Sequence, residues 1–199
     1  LIPGCGIDIN HFAKVPIYNN KNFFKYKNKF RFILIARLLR DKGIFEYVEA
    51  CKLISNTNKN VEFGILGFID ENNPTGIKMN QINIWVQEGI FLYFGETDDV
   101  RPYIYESDCV VLPSYREGTP KALLEASAMR KPLIATNTNG CKEVVVDNKN
   151  GFLCKVKDGK DLSEKMNKMI NLSNLERKKM GYYGYEKVKT QFNQKIINE

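Results

Sequence analysis

Short apolar runs recur along the chain at residues 30–36, 61–66, 90–94, 109–112, 133–136 and 152–154. Each is followed by Gly, Pro or a polar residue, which predicts buried strands rather than helices. Between them lie stretches of helical character at 44–54, 77–87, 98–106, 121–130 and 141–146, and two more, 158–172 and 175–192, close the chain. In the first, Ile44, Val48, Cys51 and Leu53 or Ile54 repeat at the spacing of one helix face. Strands that alternate with helices predict an α/β fold: a Rossmann-like, doubly wound parallel sheet of about six strands, covered on both faces. Right-handed crossovers then bring every strand-to-helix loop to one edge, with the ligand site expected where the strand order reverses. Residues 1–8 are turn-rich and suit a crossing from something upstream, and 19–29 form a polar, basic linker interrupted by aromatics. The division is therefore 1–29 as crossing segment and linker, and 30–199 as the folded domain.

The loop after the fourth strand carries the densest chemistry. It reads Pro113-Ser114-Tyr115-Arg116-Glu117-Gly118-Thr119-Pro120 and runs into Lys121-Ala122-Leu123-Leu124-Glu125-Ala126. Thr119 suits an N-cap and Pro120 a first helical residue. A helix start at a strand's carboxyl end offers free N–H groups and positive dipole to an anion, such as a phosphate. Glu117 lies on the loop, and Glu125 follows about 9 Å along the helix axis. The plainer reading is an ordinary strand-loop-helix unit whose acids answer the helix dipole. Arg37 and Lys42 frame the first strand-to-helix loop, and Gly43 precedes its helix. Two cations at a helix start can neutralise a diphosphate, or be solvated surface charges.

Composition narrows the chemistry further. The chain has 199 residues, 43% hydrophobic, a net charge of +7 and a pI near 9.1, so it can bury a core. The basic residues are dispersed, which fits anionic ligands, a membrane surface, nucleic acid or a generally basic exterior. Cys5, Cys51, Cys109, Cys141 and Cys154 form no C-x-x-C pair and favour buried reduced thiols in the cytoplasm. His11 is the sole histidine, which argues against Ser-His-Asp or Cys-His catalysis. Neither G-x-x-x-x-G-K-[ST] nor G-x-G-x-x-G occurs. Asp70-Glu71 and Asp98-Asp99 suit helix starts better than a cation site. Tyr182, Tyr183 and Tyr185 on the basic last helix suit packing positions, with membrane or RNA contact as the alternative.

Pro113-Ser114-x-x-Glu117-Gly118-x-Pro120-x-x-x-x-Glu125 resembles the E-x₇-E signature of the retaining glycosyltransferases of family 4, which have the GT-B fold. The likeness extends over nearly the whole chain. Ile2-Pro3-Gly4-x-Gly6-Ile7-Asp8 is similar to that family's interdomain crossing segment. Ala36-Arg37-Leu38-x-x-x-Lys42-Gly43 is similar to its phosphate loop. Gly140-Cys141-Lys142-Glu143-Val144-Val145 and Asp147-x-x-x-x-Phe152 match its late loop and the strand after it, in a form similar to members that build bacterial capsule and lipid-linked glycans.

The resemblance implies roles. Arg37 and Lys42 hold the donor diphosphate and, with Glu117, form the catalytic set. Backbone N–H groups of Gly118, Thr119, Pro120's neighbours and Lys121 line phosphate and sugar. Glu117 contacts the transferred sugar, Glu125 the ribose, and Phe94 and Gly95 lie by the base. It implies no metal and no cofactor beyond a nucleotide-sugar co-substrate, a UDP-sugar. The acceptor is a polyprenol-linked or surface-polysaccharide precursor, and the site of action is cytoplasmic, including the inner face of the membrane as a peripheral contact. Only the donor-binding half is matched, so the N-terminal acceptor domain counts as a missing partner, the chain alone transfers little, and nucleic acid is not a partner. Thr119-Pro120 stands where a larger residue and a Gly are frequent, so the sugar stays open. Two alternatives remain: a UDP-sugar 2-epimerase of the same fold, and a non-catalytic nucleotide- or RNA-binding module.

Overall fold

The computed structural model describes residues 6–14, 23–26, 28–70 and 72–194. Six parallel strands form one sheet in the order β3-β2-β1-β4-β5-β6. They are β1 (Phe30–Ile35), β2 (Val61–Leu66), β3 (Leu92–Tyr93), β4 (Cys109–Leu112), β5 (Leu133–Thr136) and β6 (Gly151–Cys154). The chain builds outward from β1 to one edge, returns, and builds outward again from β4. The switch point is therefore the β1–β4 pair, in register from Phe32↔Cys109 to Leu34↔Val111.

Helices α2 (Ile44–Thr57), α3 (Met79–Gln87) and α7 (Gly159–Asn171) belong to one layer. On the other side lie α1 (Ile9–Ala13), α4 (Arg101–Glu106), α5 (Lys121–Ala128), α6 (Asn139–Val144) and α8 (Asn174–Gln191). Strand side chains alternate between the layers. Phe32 and Leu34 join the first core with Tyr47, Ile54, Ile65 and Met166. Ile33 and Ile35 join the second with Leu112, Leu124, Ala135 and Val188. Strands buried on both faces have no polar side to display, which is why they appear in the sequence as unbroken apolar runs. Each fully buried Ile or Leu contributes about 1.5–3 kcal/mol.

The doubly wound, all-parallel sheet expected from the sequence is the one observed, and element limits differ in identifiable places. Strand β3 is two residues long rather than five, because an edge strand with one neighbour pairs only at Gly64↔Leu92 and Ile65↔Tyr93. Helix α4 starts at Arg101 rather than Asp98, with Asp99 accepting from the Arg101 N–H at 3.1 Å just ahead of it. Helix α5 stops at Ala128, since Arg130 turns to a positive φ of 58°. Helix α1 appears where only a crossing segment was expected, capped by Asp8, which accepts from Asn10 and His11. The expectations for residues 1–5, for Cys5, and for much of the 19–29 linker lie outside the described residues. Cys51, Cys109, Cys141 and Cys154 are free and buried, as expected.

Candidate functional site

The site is built where β1 and β4 end. From β1 the chain passes through Arg37 into a single turn of 3-10 helix, Arg40–Lys42, and then into α2. Gly43 joins the two at φ +73°, and a Cβ there would overlap the carbonyl of Pro113 after β4. Glycine is thus required twice over, by conformation and by closeness. Tyr115 N–H donates to the Asp41 carbonyl at 2.8 Å and completes the join of the two loops.

That join places Lys42 against Glu117. The ammonium meets Glu117 Oε1 at 2.7 Å, and the Ser114 hydroxyl donates to the same oxygen at 2.6 Å. Both members of the ion pair are largely covered, at 18% and 13% side-chain exposure, so solvent screens it less than a surface pair. Arg37 is exposed at the mouth of the same loop, and its side chain enters no ion pair among the described residues.

Thr119 does not cap α5, contrary to the sequence expectation. The N-cap is Pro120, which has no side-chain donor or acceptor, and no side chain satisfies the first turn. Thr119 lies one position too early and turns its hydroxyl to Glu143 Oε2 at 3.4 Å. The N–H groups of Lys121 and Ala122, ahead of Leu123 and Leu124 that donate to the Pro120 carbonyl, are left as a ready anion cradle. The loop before them is held from below. A Cβ on Gly140, in the first turn of α6, would overlap the Gly118 carbonyl, so main chain packs on main chain at this point.

Glu125 lies one turn into α5 and is only 8% exposed. Burial pushes its carboxyl up to about 7, partly opposed by the Lys121 ammonium 3.8 Å away. A buried acid with one distant cation is costly for the ligand-free fold, and hydroxyl donors would relieve that cost. At the far side of the switch point, the β1, β2 and β3 loops are laced by Gly67 N–H to the Gly95 carbonyl at 2.7 Å and Leu38 N–H to the Phe68 carbonyl at 3.0 Å. Gly95 has φ +72°. The Phe94 ring is engaged with Phe23, Phe24 and Tyr103 at centroid distances of 6.4, 5.4 and 5.3 Å. At this position the main chain and Gly95, rather than a free aromatic face, are what a base would meet.

The structure thus gathers Arg37, Lys42, Glu117, Gly118, Thr119, Pro120, Lys121 and Glu125 around one switch point, with Phe94 and Gly95 on the adjoining loop. Sequence reasoning passed over Thr136, whose hydroxyl donates to the Ser114 carbonyl, and Glu143 beside Thr119. It also passed over Glu46, which accepts from the Tyr115 hydroxyl at 2.7 Å. The available signal was position: Thr136 is the last residue of a strand whose carboxyl end faces the site. No group of three or more His, Cys, Asp or Glu able to hold a metal occurs among the described residues.

Known proteins resemble this chain in sequence and in fold. The sequence model described as "Glycosyl transferases group 1" matches residues 18–187. The chain is 29% identical over 192 residues to the capsular polysaccharide biosynthesis glycosyltransferase CapM of Staphylococcus aureus, covering 94% of this chain and 50% of that protein. It is 30% identical over 175 residues to the N,N'-diacetylbacillosaminyl-diphospho-undecaprenol alpha-1,3-N-acetylgalactosaminyltransferase of Campylobacter jejuni, covering 85% of this chain and 44% of that protein. The fold matches that of HepE from Anabaena, solved in complex with UDP, with a TM-score of 0.79, 20% identity, 97% of this chain and 53% of that one. The chain therefore spans about half the length of these relatives.

Proposed function

The chain belongs to the group 1 glycosyl transferases, and from that premise we propose that it is the donor-binding half of a retaining, metal-independent enzyme. The enzyme moves a sugar from a UDP-sugar to a polyprenol-linked or surface-polysaccharide acceptor. The observation that carries this reading is the contact of Lys42 with Glu117 across two loops at the switch point, beside an α5 N-terminus that no side chain caps.

In this reading the anomeric carbon–oxygen bond to the diphosphate breaks and a bond to an acceptor oxygen forms on the same face. The acceptor hydroxyl's proton passes to the diphosphate oxygen released from the sugar, and UDP departs. Negative charge grows on the diphosphate as that bond breaks. In this reading Arg37, Lys42 and the α5 N-terminus oppose it: the helix N-terminus is fixed by the fold, and Lys42 turns to the diphosphate from its contact with Glu117. Glu117 would take hydroxyls of the sugar, and Glu125 those of the ribose. The N–H groups around Gly118, Thr119 and Lys121 would line the β-phosphate, and the Phe94–Gly95 main chain would border the base. The acceptor and the membrane face belong to the other half of such an enzyme, so binding rather than transfer is the activity expected of these 199 residues. No helix among the described residues is long and apolar enough to cross a membrane. A peripheral contact at the inner face of the cytoplasmic membrane is part of the proposal, and nucleic acid is not.

Support comes from relatives named for capsular polysaccharide synthesis and for transfer to an undecaprenol-linked glycan, and from a protein of the same fold solved with UDP. The test is calorimetry at pH 8 with UDP, GDP and ADP and their glucose conjugates. UDP ligands bind best, and Glu125→Ala weakens UDP by about 1.5–3 kcal/mol, roughly ten- to hundredfold, through lost bonds to a charged group. Binding that ignores Glu125→Ala and collapses with salt would instead mark a nucleic-acid module.

A further inference from the structure

Glu117 has two donors on one oxygen, and they differ in kind. Lys42 is a cation reaching across from the β1 loop, and Ser114 is a neutral hydroxyl three residues back on Glu117's own loop. In the reading above, which this inference rests on, Lys42 has a second claimant. An arriving diphosphate competes for its ammonium at the moment Glu117 must face the sugar. A carboxylate held by Lys42 alone would lose its anchor then.

Ser114 is built not to move. It is 0% exposed, in a segment whose preceding carbonyl, that of Pro113, lies against Gly43. Its own carbonyl accepts from the Thr136 hydroxyl at the end of β5, and Thr136 is also 0% exposed. The Thr136 hydroxyl at the β5 strand end thus ties down the Ser114 main chain, and the Ser114 hydroxyl reaches the carboxylate. Both donors converge on Oε1, which leaves Oε2 outside either bond. Ser114 contributes no charge of its own and none that a diphosphate would draw.

We propose that Ser114, itself fixed by Thr136, is a positioning residue that keeps the Glu117 carboxylate aimed at the hexosyl part of the donor after Lys42 turns to the diphosphate. Its effect should fall on the sugar and not on the nucleotide. Losing it leaves a charged acceptor in the right place on average but with more orientations to lose on binding.

The experiment is calorimetry on the chain with UDP, UDP-glucose, UDP-galactose and their N-acetylhexosamine counterparts. The conjugate whose affinity relative to UDP changes most in Glu117→Gln serves as the probe. Ser114→Ala is expected to lower that conjugate's affinity relative to UDP about fivefold to tenfold, the scale of one ordinary hydrogen bond, since the carboxylate stays in place and loses only its orientation. UDP itself stays within twofold. Thr136→Val acts in the same direction and provides the second route should Ser114→Ala fold poorly. In a Glu117→Ala background Ser114→Ala has no further effect, because no acceptor for the Ser114 hydroxyl is left there. A merely structural role would weaken UDP and conjugate together. That outcome, an unchanged ratio, or an undiminished effect in the Glu117→Ala background overturns the proposal while the nucleotide reading stands. Failure of the unaltered chain to bind UDP overturns both.

Discussion

Both ends of the sheet bury charge, and they do so in opposite ways. At the amino-terminal end Glu62 accepts from the Lys25 and Tyr26 N–H groups at 3.1 and 3.3 Å, and Asp108 accepts from the Arg31 N–H at 2.8 Å. Lys131 donates to the Tyr105 and Ser107 carbonyls at 2.8 and 2.7 Å. These charges are committed to main chain and tie segments to the strand starts. At the carboxyl-terminal end, among the described residues, Glu125 has a cation 3.8 Å away, and Asp41 Oδ1 and Glu46 Oε2 are buried without a partner; at the amino-terminal end Arg31 Nε is the counterpart. Buried polar atoms left unsatisfied are rare and call for an explanation. On the proposed function, the carboxylates at the carboxyl-terminal end await a ligand, whereas those at the other end are bonded by folding.

Glu62→Ala is the sharpest way to separate the two ends. It removes the acceptor of two N–H groups, at about 1.5–3 kcal/mol for each bond to a charged group, so a loss of about 3 kcal/mol or more is expected. Urea denaturation reads the loss, and UDP affinity should not move. A drop in UDP affinity would join ends that the comparison holds apart.

The next effect is one of pH. Glu125 has a folded value of about 7 against 4.5 in the unfolded chain, so the folded state holds more protons between them. Ligand-free stability is then highest for this group at and below pH 4.5, falls as pH rises to 7, and levels off beyond. The full span is at most about 3 kcal/mol. Denaturation at pH 5 and pH 8 should show Glu125→Gln without this fall and more stable than the unaltered chain at pH 8. The opposite order would mean that Glu125 is already satisfied. Tyr115→Phe is the mildest probe. It takes from Glu46 its one hydroxyl donor and should cost about 1 kcal/mol in the same assay.

Much of this was legible in the sequence, and for a physical reason. Strands buried on both faces write themselves as apolar runs, and glycines where loops touch write themselves as fixed punctuation. Arg37, Lys42, Glu117 and Glu125 stand out because charge near a strand's carboxyl end has few structural uses. Thr119 was misjudged because a cap depends on one dihedral angle, which composition does not reveal. Thr136, and the role of Ser114 within the quoted signature, escaped because a hydroxyl at a strand end looks like ordinary packing until its acceptor is known. The freedom of the Phe94 ring was equally hidden, since Phe23 and Phe24 reach it from a segment about 70 residues earlier.

The approach of Gly140 to the Gly118 carbonyl has one more consequence. Two backbones in direct apposition leave no side chain to trim or enlarge, so the floor under Glu117 cannot be deepened or raised by substitution. On the proposed function, retuning of which hexose fits would then fall to the rim, to half-buried Thr119 and to Lys121 and Glu143, whose exposed side chains can change without disturbing the join beneath.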